Sequence, residues 1–139
     1  MDIKFIDNSN LVLRDMKAAV ERALTRCGME AEGYAKDLSP FDTGLLRNSI
    51  TYAISGKPPA KLTYKADKPA KDGKIKIGRY SGNAPDDTVK SVYIGTNVEY
   101  AVDQEIGTYK ISPKPFLKPA VADHAQTYRN IIEDEMKNG

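Results

Sequence analysis

Apolar residues along this chain change their spacing from one stretch to the next, and those changes mark out the elements. Over residues 10–38 they fall at Leu13, Met16, Val20, Ala23 and Leu24, Cys27, Ala31, Tyr34 and Ala35, and Leu38. Steps of three and four put them in one stripe of a helix, with Arg14, Lys17, Glu21, Glu30 and Lys36 on the other faces. Such a helix is about 40 Å long, more than a small domain needs to cover itself. Asn8, Ser9 and Asn10 suit its start, and Pro40 ends it. Gly28 and Gly33 each cost about 1 kcal/mol relative to alanine, so they mark a bend or a place of close packing.

Alternating patterns predict strands at three further places. Residues 2–6 carry Ile3 and Phe5 and form a candidate short strand. Residues 49–54 put Ile50, Tyr52 and Ile54 on one face. Residues 89–96 give the clearest strand, with Val89, Val92 and Ile94 and with Tyr93 opposite. Between the last two lies a long segment, 55–88, in which KLTYKA and KIKIGRY flank an Asp72-Gly73 turn signal. Paired, they would put Leu62, Tyr64, Ile75 and Ile77 on one face and Lys61, Lys65, Lys74 and Lys76 on the other. A two-stranded arm is marginal alone in water, so it is expected to be mobile until its apolar face meets a neighbour.

The remaining elements are short or terminal. Asp42 is placed to cap a single turn over residues 43–47, relaxed by Gly44. Gly95, Thr96 and Asn97 turn a corner, Asn97 being tolerant of left-handed backbone. Residues 99–106 suit a two-turn helix ended by Gly107. Pro115 leads to a final helix over 119–137, in which Pro119 fits only the first turn. Its apolar positions are Val121, Ala125, Tyr128, Ile131, Ile132 and Met136. Glu133, Asp134 and Glu135 near its C-terminus oppose the macrodipole, which suggests either a solvated end or a partner that supplies positive charge. Together these elements predict an α+β fold in one domain, 1–139. Long N- and C-terminal helices pack on a small, mostly antiparallel sheet, with 55–88 as an extended basic arm.

Composition changes this picture in one respect. At 139 residues, 40% hydrophobic and 29% charged, the chain is ordinary for a globular domain. Its net charge of +2 gives no general pull toward nucleic acid. Yet residues 57–79 hold eight Lys or Arg against two Asp, a local +6, which leaves about −4 elsewhere. The single cysteine, Cys27, excludes an internal disulfide and reads as a small buried hydrophobe. No stretch has the length of a membrane span and the N-terminus has no apolar leader, so a reducing cytoplasm is the expected site of synthesis.

Candidate chemistry is sparse. Asp42-Thr43-Gly44 matches the short signature of aspartic proteases, where two carboxylates from a homodimer would share a proton. Those signatures follow apolar strand residues, whereas this one follows a long helix. His124, the only histidine, lies beside Asp123 on a helix and lacks the companions of a metal site or triad. Gly73-Lys74 lacks the rest of a phosphate loop. The basic arm, with Tyr64 and Tyr80 for stacking, allows a nucleic-acid-binding module, although no known nucleic-acid signature accompanies it. No catalytic, cofactor-binding or metal-binding residues are assigned, and no cofactor is expected.

A resemblance gives the features their order. The N-terminal helix, then SPFDTGLLRNSI, VYIGTNVEYAVDQEIGT and KPFLKPA with a closing helix, resembles the head–tail connector and tail-completion proteins of long-tailed bacteriophages, the small tail-component neck family. The likeness covers nearly all of the chain except 55–88, which is longer than the usual link. It implies a structural virion protein assembled in the bacterial cytoplasm into a ring, commonly six-fold, at the head–tail junction. Partners would be further copies, other neck and tail-tube proteins, and DNA passing through the ring; no membrane is involved. It marks Asp42, Thr43, Gly44, Arg47, Gly95, Asn97, Tyr100, Glu105, Gly107, Pro115, Phe116 and Pro119 as motif residues. Arg47 and Glu105 are expected in a structural ion pair or at an interface, and Tyr100, Ile106, Phe116 and Leu117 in packing. Lys61, Tyr64, Lys65, Lys74, Lys76 and Arg79 would line an arm that meets a neighbouring subunit or DNA.

Overall fold

The computed structural model describes residues 9–40 and 42–138. The candidate strand at 2–6 and Asn8 lie outside them. The helix α1 (Ser9–Leu38) is the spine. A short helix α2 (Leu45–Ser49) follows, then strands β1 (Thr51–Ile54), β2 (Thr63–Lys65), β3 (Ile77–Arg79) and β4 (Val92–Gly95). Three more helices complete the chain: α3 (Ala101–Ile106), α4 (Leu117–Ala122) and α5 (Ala125–Asn138). The fold is α+β, with the long helix and a helical C-terminus as expected.

The buried seam of α1 is a ladder of small residues, Ala19, Ala23, Cys27, Ala31 and Ala35, four apart. Small side chains let other elements approach the helix axis closely. Larger members of the expected stripe flank the seam, and Met16 and Leu38 are exposed. Helix α5 runs antiparallel along this face. Tyr34 meets His124, Cys27 Sγ approaches the Tyr128 carbonyl at 3.7 Å, and Arg22 meets Glu135. Gly28 explains itself here: a Cβ on it would stand 2.6 Å from the Tyr52 ring of β1. Gly33 has nothing within 4 Å and serves no packing.

β1 pairs antiparallel with β4, from Thr51 opposite Gly95 to Ile54 opposite Val92. β1 starts later than expected because Ser49 still belongs to α2, where its hydroxyl donates to the Leu46 carbonyl at 2.6 Å. β4 is also shorter than expected, and Val89 is exposed. The arm does form a hairpin, closed by a turn in which Gly73 takes φ 77° and the Ala70 carbonyl accepts from its N–H at 2.9 Å. Its faces differ from those expected. The register sets Tyr64 opposite Gly78 and Lys65 opposite Ile77, so Ile77 points outward beside Lys65 and Arg79, 76% exposed. Nor does the hairpin stand apart awaiting a neighbour. The Ala60 N–H donates to the Tyr52 carbonyl at 2.9 Å, and the Asn48 amide donates to the Lys65 carbonyl at 2.8 Å.

The main core lies at the C-terminal end of α1. Ala35, Leu46, Ile50, Val98, Ala101, Phe116 and Ala120 pack there, with Tyr34, Leu45, Tyr64, Ile94 and Leu117 around them. The expected single C-terminal helix is two helices, broken at Asp123 and His124. At the break the Tyr128 phenol donates to the Ala120 carbonyl, and the His124 ring stacks on Tyr34 with centroids 3.5 Å apart. The acidic end of α5 draws its positive charge from this same chain rather than from a partner. Arg26 reaches Asp134 and Glu135 at 2.9 Å each, and Arg22 reaches Glu135 at 3.1 Å. Among the described residues, no helix is long and apolar enough to cross a membrane.

Candidate functional site

Of the motif residues, Asp42, Thr43, Gly44, Asn97 and Tyr100 come together between the α1–α2 turn and the corner from β4 to α3, while Glu105, Gly107, Phe116 and Pro119 serve the link from α3 to α4. The Ser49 and Thr96 hydroxyls meet at 2.5 Å, and Thr96 Oγ1 accepts from the Val98 N–H at 3.1 Å. Tyr80, arriving from the arm, donates its phenol to the Ser49 carbonyl at 2.6 Å and accepts from the Asn97 N–H at 3.2 Å. Burial pushes the Tyr80 phenol above its usual pKa, against the pull of its bonds to Thr96, Asn97 and Ser49. Asn97 accepts from the Tyr64 phenol and donates its amide to the Arg79 carbonyl at 2.8 Å. Among the described residues no non-glycine residue has positive φ, so Asn97 is not left-handed as expected. Its side chain instead ties the arm to the corner. Tyr64 can reach it because the ring lies over Gly78, where any Cβ would collide with the phenol.

Asp42 does not cap α2. Gly44, at φ 86°, is the N-cap residue and has no side chain to cap with. Asp42 is exposed, and Thr43 Oγ1 accepts from the Leu45 N–H at 3.3 Å. The Thr43 carbonyl accepts from the N–H groups of Asp67 at 2.8 Å and Lys68 at 3.0 Å, so this motif anchors the arm. Arg47 is half-buried on α2. Gly95 has nothing within 4 Å of a would-be Cβ; it ends β4 opposite Thr51, and its carbonyl accepts from the Tyr80 phenol at 3.5 Å.

Glu105 has a structural task of its own. Its carboxylate accepts from the backbone N–H groups of Phe116 at 2.9 Å, Leu117 at 2.6 Å and Lys118 at 3.3 Å. These are free donors at the start of α4, where negative charge also suits the helix dipole. Pro119, third in α4, loses nothing by lacking an N–H. Gly107 closes α3 as expected. Its N–H reaches the Asp103 carbonyl at 2.8 Å with φ 83°, and a Cβ there would stand 2.8 Å from Pro113. Phe116 is fully buried, while Ile106 is 71% exposed and so takes no part in the packing expected of it. Pro115 lies exposed just before Phe116.

The basic arm is less free than its charge suggests. Lys57 pairs with Glu21 at 2.6 Å and Lys76 with Asp72 at 3.0 Å. Lys61 donates to the Asn48 carbonyl at 3.0 Å, and burial, then nearby Lys36, lowers its pKa. Lys65 and Arg79 share the outer face of the hairpin, and Lys74 is exposed at its turn.

Arm and corner enclose a groove of about 740 Å³. Its lining draws on Tyr64, Lys76 and the backbone around Ile77 and Gly78 from the arm, and on Glu99, Tyr100 and Gln104 from the corner. The floor is the α1–α2 turn, Asp42 included. Burial raises the Tyr100 phenol's pKa, opposed by a backbone hydrogen bond at Leu46. Among the described residues, no three of His, Cys, Asp and Glu gather as metal ligands. Apolar spacing carries no sign of the hydroxyl contact between Ser49 and Thr96 or of the ion pairs of Arg22 and Arg26. The only signal for the last was the unexplained acidic end of α5. Comparison with known protein families, with curated proteins and with solved structures gave no match.

Proposed function

We propose that this chain is a structural protein of the head–tail junction of a tailed phage or prophage, and that copies of it assemble into a ring. The observation that carries this reading is a braced frame with apolar side chains on its outside. Val102, Ile106 and Tyr109 are 62%, 71% and 93% exposed, on elements fixed by Gly107 and by the Glu105 cap. The order of motifs along the sequence supplies the particular family.

The nucleic-acid reading has less support, because Lys57, Lys61 and Lys76 are engaged within the chain. The protease reading rests on Asp42, whose neighbour Thr43 is committed to holding the arm. The decisive experiment is assembly of the purified chain, alone and with phage heads, tails or isolated neck proteins, followed by electron microscopy and native mass spectrometry. Rings, or saturable binding to those particles, are expected. A strict monomer that binds none of them overturns the reading.

A further inference from the structure

One part of the surface is built as a projection. Residues 108–111 form a tight turn, in which the Thr108 N–H donates to the Ile111 carbonyl at 2.8 Å and the Ile111 N–H donates back to the Thr108 carbonyl at 3.3 Å. Thr108 Oγ1 accepts from the N–H groups of Lys110 at 3.2 Å and Ile111 at 3.0 Å. The base is pinned on both sides, by Gly107 on Asp103 and by the Lys114 N–H on the Gln104 carbonyl at 2.7 Å. At the tip stands Tyr109, 93% exposed, with Lys110 Nζ 5.4 Å from its ring centroid. A rigidly presented tyrosine keeps a large apolar area in water at little conformational cost, which is the character of an interface anchor.

The groove between arm and corner is the matching receptacle. Its apolar lining includes Pro40, Leu45, Leu46, Val98 and Tyr100, and Tyr109 of the same chain is not part of it. Asp42 and Glu99 are exposed carboxylates on its lining, and its one lysine, Lys76, is matched by Asp72. The projection brings the opposite sign, with Lys110 at the tip and Lys114 at the base.

We infer that Tyr109 of one copy seats in the groove of a second copy, with Lys110 facing Asp42 and Glu99. Giver and receiver are different patches, so each copy can do both. Such a head-to-tail contact closes into a ring or runs on as a filament. This contact rests on the self-assembly in the proposed function and gives it an address.

The test uses the full chain. Tyr109→Ala, at an exposed position, is expected to weaken self-association at least about 30-fold, the loss typical of an anchor residue. Lys110→Glu and Asp42→Lys should each weaken it, and the two together should restore it. In a mixture of differently tagged Tyr109→Cys and Asp42→Cys chains, the mixed disulfide should outnumber either self-pair; Cys27 is buried. Tyr109→Ala without effect, no rescue by the charge swap, or Tyr109→Cys linking to itself overturns the contact. A parent chain that stays monomeric yet binds phage heads or tails also overturns it, while leaving the connector reading intact. A groove occupied by a side chain of another neck protein, and not by Tyr109 of this chain, does the same.

Discussion

Tyr52 of β1 fills the space that a side chain at Gly28 of α1 would occupy. A Cβ on Gly28 would lie 2.6 Å from two ring atoms and 3.0 Å from the Tyr52 Cβ, near the root of the side chain, where no rotation clears it. Gly28→Ala therefore sets a helix-propensity gain of about 1 kcal/mol against an overpacking cost of about 1–3 kcal/mol. Gly33, with open space around it, takes the gain without the cost. The two substitutions should move stability in opposite directions, Gly28→Ala down and Gly33→Ala up by about 0.5–1 kcal/mol. Paired urea melts check this, and stabilisation by Gly28→Ala contradicts the packing.

Glu105 serves three backbone donors at once. Glu105→Ala leaves them without the carboxylate and should cost about 1–2 kcal/mol, at the upper end for a helix cap. Amide exchange at Phe116, Leu117 and Lys118 should quicken more than at residues of α5. Uniform quickening across both helices would mean that Glu105 acts only on global stability.

Tyr128 should titrate late. Burial, reinforced by Tyr34, Cys27 and Glu30, pushes its phenol up to about 12. A phenol whose folded pKa is raised holds its proton more tightly in the folded chain. Its contribution to stability is complete below the usual tyrosine pKa, about 10, and disappears as the pH rises through about 12. Ultraviolet titration should show a late phenolate step that Tyr128→Phe removes. α5 should loosen from α1 over the same alkaline range.

Asn97 links the arm to the corner through Tyr64 and Arg79. Asn97→Ala should cost about 1 kcal/mol overall, since the bonds are partly exposed. Its larger effect should be local, as faster proteolytic cleavage within residues 60–80. Cleavage unchanged in site and rate would show that Thr43 and Asn48 hold the arm without it.

Helices and pairing partners were legible in the sequence because apolar spacing and turn residues carry them locally. The α1 stripe, the antiparallel β1–β4 pair, the Asp72-Gly73 turn and the Gly107 stop all follow from such patterns. The arm's facing was not legible. The turn spans more residues than the two-residue signal implies, and the odd change of register that results, Ile77 opposite Lys65 instead of Lys68, sends Ile77 to the opposite face. The capping roles were exchanged for a related reason. Asp42 has the right chemistry beside α2, but Glu105 caps α4 from eleven residues away in sequence, a contact that only the fold creates. Likewise Asn97 was noticed for its backbone tolerance, and its side chain proved to be what matters. The break between α4 and α5 has no glycine or proline to announce it, and the stack of His124 on Tyr34 at that point is a contact between residues far apart in sequence.

The Glu105 cap has a consequence for how this chain can vary. The same carboxylate that ends on Leu117 belongs to the helix before the turn, so both ends of residues 107–116 are held by a single side chain. The position of α4 is then independent of what is threaded between those posts. Residues 108–113 form an exchangeable cassette, whose length and side chains can be altered while the core around Phe116 stays in place. The contact inferred for Tyr109 would then be open to rewriting by grafting at residues 108–113, with the Glu105 cap kept.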